Sequence, residues 1–277
     1  MSPPLVKADA RRPLVVAIIN QVPDLTYLRI DPGTGEIDLD EPDRVLHPND
    51  RQPVESALRV KDADDAQVLV MAVDRQGAEE GIREALSMGA DEGLLLSSGA
   101  TRHSDALARA NLLAHTVRHL PRCDAVFVGT ETMEPDWSTV GGAIAAILDW
   151  NLVPGGREVR LKDGGTHGVA MYGAAFVRYK AAGPAVVTVR PDTHKPRWPT
   201  TWGVRDAYRD RTIQALNLTD LEIDGRMLAR MASLTETRGQ RVVRERKKET
   251  ETFTDPPEVS ARVIGKRLAR DGYLGGF

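Results

Sequence analysis

Three short stretches of this 277-residue sequence carry residue types suited to holding a phosphate-bearing ligand. The first is Asn20-Gln21-Val22-Pro23-Asp24, directly after the apolar run Leu14 to Ile19. If that run is a parallel strand, the loop lies at its carboxyl end, where open α/β sheets bind ligands. A plain Pro-Asp turn would look the same. The second, His47-Pro48-Asn49-Asp50, opens an amphipathic stretch. Unsatisfied N–H groups at a helix start favour anions and polar ligand edges, and His47 adds a protonatable group beside them. Simple helix capping by Asn49 or Asp50 is the alternative. The third runs from Gly129 through Glu131, Asp136, Ser138, Thr139 and Val140 to Gly142, after an apolar run and into a helical pattern. Ser138, Thr139 and free amides there can cradle a phosphate. Gly141 and Gly142 permit close approach by backbone or ligand. A capped helix with tight glycine packing would read likewise. The stretch is not a P-loop, for it lacks Gly-Lys-Ser/Thr, and it is not the GxGxxG fingerprint.

Other chemistry finds little support. His103, His115, His119 and His167 show no metal-ligand spacing with Cys or acidic residues, so no metal is expected. No strained G-x-S-x-G turn marks a nucleophile. The lone cysteine, Cys123, precedes an apolar run and reads as a structural thiol in a reducing compartment. A net charge of -3 and a pI near 6.1 speak against nucleic-acid binding. The apolar run near the start is too short for a bilayer and has no cleavage site behind it. A cytoplasmic protein without membrane insertion is therefore expected.

The loops need a frame. Leu14 to Ile19, Val68 to Val73, Gly93 to Leu96, Ala125 to Val128 and Ala185 to Val189 are short apolar runs bounded by polar turns. That is the pattern of parallel strands covered on both faces. Helices are predicted between them. One runs from Asn49 or Asp50 to about Lys61, with Val54, Ala57, Leu58 and Val60 inward. A second spans Ala78 to Met88 and stops at Gly89. A third, capped by Ser104, has Leu107, Ala110, Leu112, Leu113 and Val117 as its stripe. A fourth starts near Asp136 to Ser138 and runs through Ile144 and Leu148. Strand–helix alternation predicts a doubly wound, mainly parallel, Rossmann-like α/β domain over residues 13–208, after a flexible tail of residues 1–12.

After Trp150 the pattern changes. Val159 to Lys162, a turn at Gly164-Gly165, and Val169 to Lys180 predict an added antiparallel hairpin. Residues 209–277 read as a polar arm. Arg241 to Thr252 is dense in mixed charge, and Pro256-Pro257 interrupts regular structure. Val259 to Asp271 then forms a short helix with Val263, Ile264 and Leu268 as its stripe. The arm has too few apolar residues to fold alone and is predicted to dock on a partner.

Several pieces recur together. Gln21-Val22-Pro23-Asp24 stands before Arg29-Ile30-Asp31-Pro32 and Gly35. Pro48 and Asp50 precede Val54-Glu55 and Ala57-Leu58. Ala85-Leu86 leads to Met88-Gly89-Ala90-Asp91. Gly129 comes before Asp136, Val140-Gly141 and Leu148-Asp149-Trp150. Pro184-Ala185-Val186-Val187-Thr188 precedes Pro196-Arg197. In order and spacing these resemble the β subunit of electron-transfer flavoproteins, over roughly residues 14–207.

The resemblance implies a subunit that pairs with an α subunit carrying the redox-active FAD and helps enclose that FAD. It implies a structural AMP in the β chain, at Ala17, Asn20, His47 to Asp50, Val73, Gly129, Glu131, Asp136 and Ser138 to Val140. Electrons would pass from flavoprotein dehydrogenases, such as acyl-CoA dehydrogenases, to a quinone-reductase-type acceptor. The C-terminal arm would wrap over the partner. This sequence departs from the pattern in places. Asn20 stands for the usual Lys, His47 for Asn, Glu134 for Asp and Thr139 for Gln. An arginine that many members direct at the partner's flavin falls at Ala170 or Met171. The leucine that anchors dehydrogenases falls at Thr201-Trp202, where Trp202 can serve as the anchor. Two further readings stay open. One is an electron-bifurcating form with a second FAD in this chain accepting hydride from NADH. The other is a nucleotide-binding module without redox function.

Overall fold

Leu14–Ile19 is apolar at all six positions because its sheet is covered on both faces. Val15, Ala17 and Ile19 face one core, and Leu14, Val16 and Ile18 face the other. The computed structural model describes residues 9, 11–27, 29–31, 33, 37–38, 44–74, 79–97, 105–131, 137–221, 223, 232–235 and 250–274. The chain divides into two units, Met1–Gly239 and Gln240–Phe277.

The described strands of the first unit, in chain order, are β1 (Leu14–Ile19), β2 (Gln21–Pro23), β3 (Arg29–Ile30), β4 (Ile37–Asp38), β5 (Arg44–Leu46), β6 (Gln67–Asp74) and β7 (Glu92–Ser97). They continue with β8 (Ala125–Gly129), β9 (Asn151–Val153), β10 (Gly156–Lys162), β11 (Gly165–Tyr172), β12 (Ala175–Ala182), β13 (Ala185–Val189) and β14 (Ile213–Leu216). Its helices are α1 (Arg51–Asp64), α2 (Glu80–Met88), α3 (Ala106–Arg118), α4 (Val140–Leu148) and α5 (Thr201–Arg209). Seven strands form one parallel sheet in the order β14-β7-β6-β1-β8-β13-β9. Helices α1 and α2 bury their apolar sides on one face, and α3 and α4 on the other. This is the doubly wound α/β architecture that the strand–helix alternation predicts.

The addition after α4 is larger than a hairpin. Val169 to Lys180, read from sequence as one strand, breaks at Gly173 into β11 and β12, so β10, β11 and β12 make a three-stranded antiparallel sheet. The first turn is centred on Asp163 and Gly164, both at positive φ, and Gly165 already belongs to β11. Paired positive φ values suit the twist of a tight hairpin.

Several boundaries also move. Ser104 lies outside the described residues; Asp105 caps α3 by accepting from the Ala108 N–H at 2.9 Å. Leu107, expected on the inner stripe of α3, is 43% exposed. A single 3-10 turn, Trp137–Thr139, precedes α4. The sequence reading missed the short strands β2 to β5, the edge strand β9 that pairs with β13, helix α5 and strand β14. Helix α5, capped by the Thr200 hydroxyl, lies on α2, and β14 extends the parallel sheet beyond β7.

In the second unit Pro257 does not interrupt helix but starts it: α6 (Pro257–Arg270) has proline in its first turn, where no N–H is needed. Val259, Val263, Ile264 and Leu268 of α6 are exposed. Among the described residues no helix is long and apolar enough to cross a membrane, and no group of three or more His, Cys, Asp or Glu could hold a metal ion.

Candidate functional site

From β1 the chain moves to β6 and β7 on one side, then returns to β8 on the other. The order reverses between β1 and β8. Backbone leaving those two strands must diverge, which opens a crevice at their carboxyl ends. The three stretches singled out from sequence converge there.

Asp50 ties them together. It occupies the N-cap position of α1 yet makes no capping bond with its side chain. Its Oδ2 instead accepts the Asn20 N–H at 2.7 Å, and the carboxylate is fully buried. The Asn20 carbonyl in turn accepts the His47 N–H at 3.1 Å. His47 caps the Pro48–Asp50 turn through Nδ1, which accepts the Asn49 N–H at 3.2 Å. The Asn49 side-chain amide donates to the Glu131 carbonyl at 3.3 Å, reaching the loop after β8. Gly129, the last residue of β8, closes the group: a Cβ there would come within 2.5 Å of Asp50 Oδ1. Only a residue without a side chain lets the carboxylate seat beside the strand end. Asn20, His47, Asn49, Asp50, Gly129 and Glu131 are thus joined by direct contacts.

The remaining residues are placed differently. Pro48 is exposed within the same turn. Val73 is buried near the end of β6, beside β1. Ala17 lies inside β1, fully buried, with its side chain in the core under α1. Ser138 and Thr139 are exposed in the turn before α4, and Val140 begins that helix, buried. Asp136 lies outside the described residues. Gly141 serves packing: a Cβ there would meet Thr188 Cγ2 at 2.7 Å, so α4 can lie close to β13 only with glycine at this point. Thr201 and Trp202 open α5, away from these loops in sequence; Trp202 is 68% exposed with the Arg205 guanidinium 4.6 Å from its ring centre.

The groups present suit an anionic nucleotide. Thr139 at the N-cap of α4 makes no side-chain capping bond to the helix, and Ser138 and Thr139 are exposed at this helix start, the kind of position where backbone amides favour an anion. The Trp137 indole N–H in the adjoining turn is buried and has no hydrogen-bond partner. Unsatisfied donors beside a strand–helix junction are what a phosphate needs.

Sequence reasoning missed the support beneath this crevice. Arg44 in β5 donates to the Gln21 carbonyl and pairs with Asp74 at the end of β6 at 2.5 Å. Gln21 Oε1 accepts the Gly81 N–H at 3.0 Å, at the start of α2. Three strand ends and a helix start are thereby fixed to one another. Gln21 stood in a visible motif; nothing near Arg44 marked it. On α1, Glu55 is buried. Burial pushes its carboxyl up, but hydrogen bonds and charge from Arg197, helped by Arg59, outweigh that and hold it below the ordinary carboxylate value. Cys123 is partly buried, and burial pushes its thiol up, in keeping with a structural role.

The family model described as the electron transfer flavoprotein domain matches residues 34–221. Among relatives, the electron transfer flavoprotein subunit beta of Thermoanaerobacterium thermosaccharolyticum is 29% identical over 221 residues, covering 80% of this chain and 85% of the relative. The protein of the same name from Clostridium acetobutylicum is 28% identical over 263 residues, covering 94% and 99%. The caffeyl-CoA reductase-Etf complex subunit CarD of Acetobacterium woodii is 28% identical over 223 residues, covering 80% and 85%. With a parallel sheet whose switch point gathers the motif residues, and with these matches along most of its length, the chain belongs to the electron transfer flavoprotein family, among its β subunits.

Proposed function

We propose that this chain is the β subunit of a heterodimeric electron-transfer flavoprotein, and that the crevice between β1 and β8 binds AMP. The observation that carries this reading is the buried Asp50 carboxylate, which locks Asn20, the His47–Asp50 turn and Gly129 around the point where strand order reverses. In this reading His47 to Asp50 and Asn20 line one wall. The Ser138–Val140 amides hold the phosphate, and Val73 and Ala17 support the floor. The chain makes and breaks no substrate bond. It supplies binding energy and oriented dipoles around a cofactor.

The redox group is an FAD carried by the α subunit, which supplies the electron carriage. This chain encloses part of that FAD. Electrons run from flavoprotein dehydrogenases, including those acting on acyl-CoA, to a quinone-reductase-type acceptor, in the cytoplasm. Thr201 and Trp202 anchor a partner, since an exposed tryptophan offers large contact area at low entropic cost. The 209–277 arm, with the apolar side of α6 exposed, docks on the α subunit. The β-subunit names of the relatives support this assignment.

The test is to co-purify the chain with its α subunit, denature the complex and identify the released nucleotides by mass. One FAD and one AMP per heterodimer is the expected result. Two FAD and no AMP would replace the AMP reading with the bifurcating one. A colourless complex with nucleotide bound would leave a non-redox module.

A further inference from the structure

The hairpin of β11 and β12 leaves the body of the domain at one end. Gly156, the first residue of β10, packs on Val187 near the carboxyl end of β13. Arg160 pairs with Asp64 at the close of α1 at 2.6 Å. Strand β10 therefore runs from the carboxyl rim of the parallel sheet toward its amino ends, and β11 runs back. Ala170 pairs with Gly156 and is buried. Tyr172 lies two residues further on, past the start of β10, so the tip overhangs the rim that also holds the crevice. Gly173, at φ 58°, and Ala174 make a two-residue turn there, which fixes the shape of the tip.

The tip is apolar and the stem is basic. Tyr172 is 73%, Phe176 63% and Val177 47% exposed. Ala170 stands opposite Val177, and Met171 opposite Phe176. Strand alternation thus puts Tyr172 and Val177 on the face that continues the core, and Phe176 on the other. Apolar side chains uncovered on both faces of a strand pair mark a contact surface. Residues 165–182 contain Arg178 and Lys180 but no Asp or Glu, in a chain whose net charge is -3. Both bases are exposed, and neither has an ion-pair partner among the described residues.

Strand β12 is also an open edge, paired with β11 alone. On its other side the Ala182 carbonyl accepts from the Asn151 side chain at 2.7 Å. Residues 175–181 make no backbone hydrogen bond beyond those to β11 among the described residues. A free strand edge is a template for an added strand. Lipid cannot satisfy the N–H and C=O groups of such an edge. A second copy laid edge to edge would bring Arg178 and Lys180 against like charges. An extended, acidic segment of another protein meets the edge, the charge and the apolar tip together.

We propose that β12 is the docking edge for the partner subunit, which adds an acid-bearing strand along residues 175–181 and covers Tyr172, Phe176 and Val177 with apolar side chains. This rests on the reading above that the chain works with a flavin-carrying α subunit. Arg178 and Lys180 set the register by pairing with carboxylates of the added strand. Burial of the aromatic tip supplies most of the affinity.

Surface plasmon resonance of the full chain against its α subunit tests this, together with hydrogen exchange of the same complex. Tyr172→Ala with Phe176→Ala should weaken the complex by roughly tenfold or more. Arg178→Glu with Lys180→Glu should do the same at low salt, and the loss should shrink as salt rises. All four side chains are exposed, so both double variants should melt as the unaltered chain does. In the complex, the alternate amides of β12 turned away from β11 should exchange more slowly by roughly tenfold or more. A complex that forms but leaves those amides unprotected, or that both double variants form as tightly as the unaltered chain, overturns the proposal while the heterodimer stands. Failure of the unaltered chain to bind the α subunit overturns both. A dimer of the chain alone that Tyr172→Ala with Phe176→Ala abolishes assigns the edge to a second copy. Capture by vesicles of phosphatidylglycerol and phosphatidylcholine through the same residues assigns it to a membrane. Either of those results also overturns the proposal.

Discussion

Asp50 Oδ1 lies so close to the α-carbon of Gly129 that a Cβ added there would sit 2.5 Å from it. The carboxylate cannot swing away without giving up the Asn20 N–H that it accepts at 2.7 Å. Gly129→Ala therefore forces the strand end or Asp50 to move. Overpacking of this kind costs about 1–3 kcal/mol. Urea denaturation should show the loss, together with less nucleotide retained through purification. A variant with the parent's midpoint and full nucleotide content would refute the close approach.

Glu55 gives a pH signature. Its carboxyl is held below the ordinary 4.5, so the folded state binds that proton less readily than the unfolded chain. The stability it contributes is complete above about pH 4.5 and disappears as pH falls through the lowered value. Glu55→Gln should be destabilised at pH 7 because Arg197 loses the buried one of its two carboxylate partners, keeping only exposed Asp62. The gap in melting temperature between parent and variant should close as the pH drops below that range. A gap that stays constant from neutral to acid pH would mean that the pair contributes nothing through charge.

Asp105 holds two things at once. Oδ1 caps α3, and Oδ2 accepts the N–H groups of Leu234 and Thr235 at 2.7 and 3.1 Å. Asp105→Ala should cost about 1–2 kcal/mol through the lost cap. It should also speed amide hydrogen exchange at Leu234 and Thr235 while leaving β1 and β8 protected. Unchanged exchange at those two amides would show that the clasp does not form in solution.

Trp202 separates binding from folding. Because it is 68% exposed, Trp202→Ala should alter stability by no more than about 0.5 kcal/mol. If Thr201 and Trp202 anchor a dehydrogenase, the same change should weaken that complex by about 2 kcal/mol or more. Surface plasmon resonance against the electron donor reads this directly. Parent-like affinity would move the anchor elsewhere.

The parallel sheet could be read from the sequence because its signal is local. Leu14 to Ile19 and Ala185 to Val189 are unbroken apolar runs, and Val54, Ala57 and Leu58 repeat at helical spacing. Elements with a local pattern of another kind were misjudged. Val169 to Lys180 reads as one strand because Gly173 is a single residue whose positive φ appears only in three dimensions. Ile213–Leu216 is short and set among polar residues, so its place as an edge strand depends on β7 lying beside it.

The candidate site divides the same way. The sequence alone determined which loops follow strands and open helices, and so marked Asn20, His47 to Asp50, Gly129 and Ser138 to Val140. It could not say that Asp50 would leave its helix uncapped to serve a strand end 30 residues earlier. Nor could it show that Arg44 would brace Gln21 and Asp74. Those choices rest on side chains far apart in the chain competing for the same buried partners. Packing settles that competition only once the sheet has brought them together.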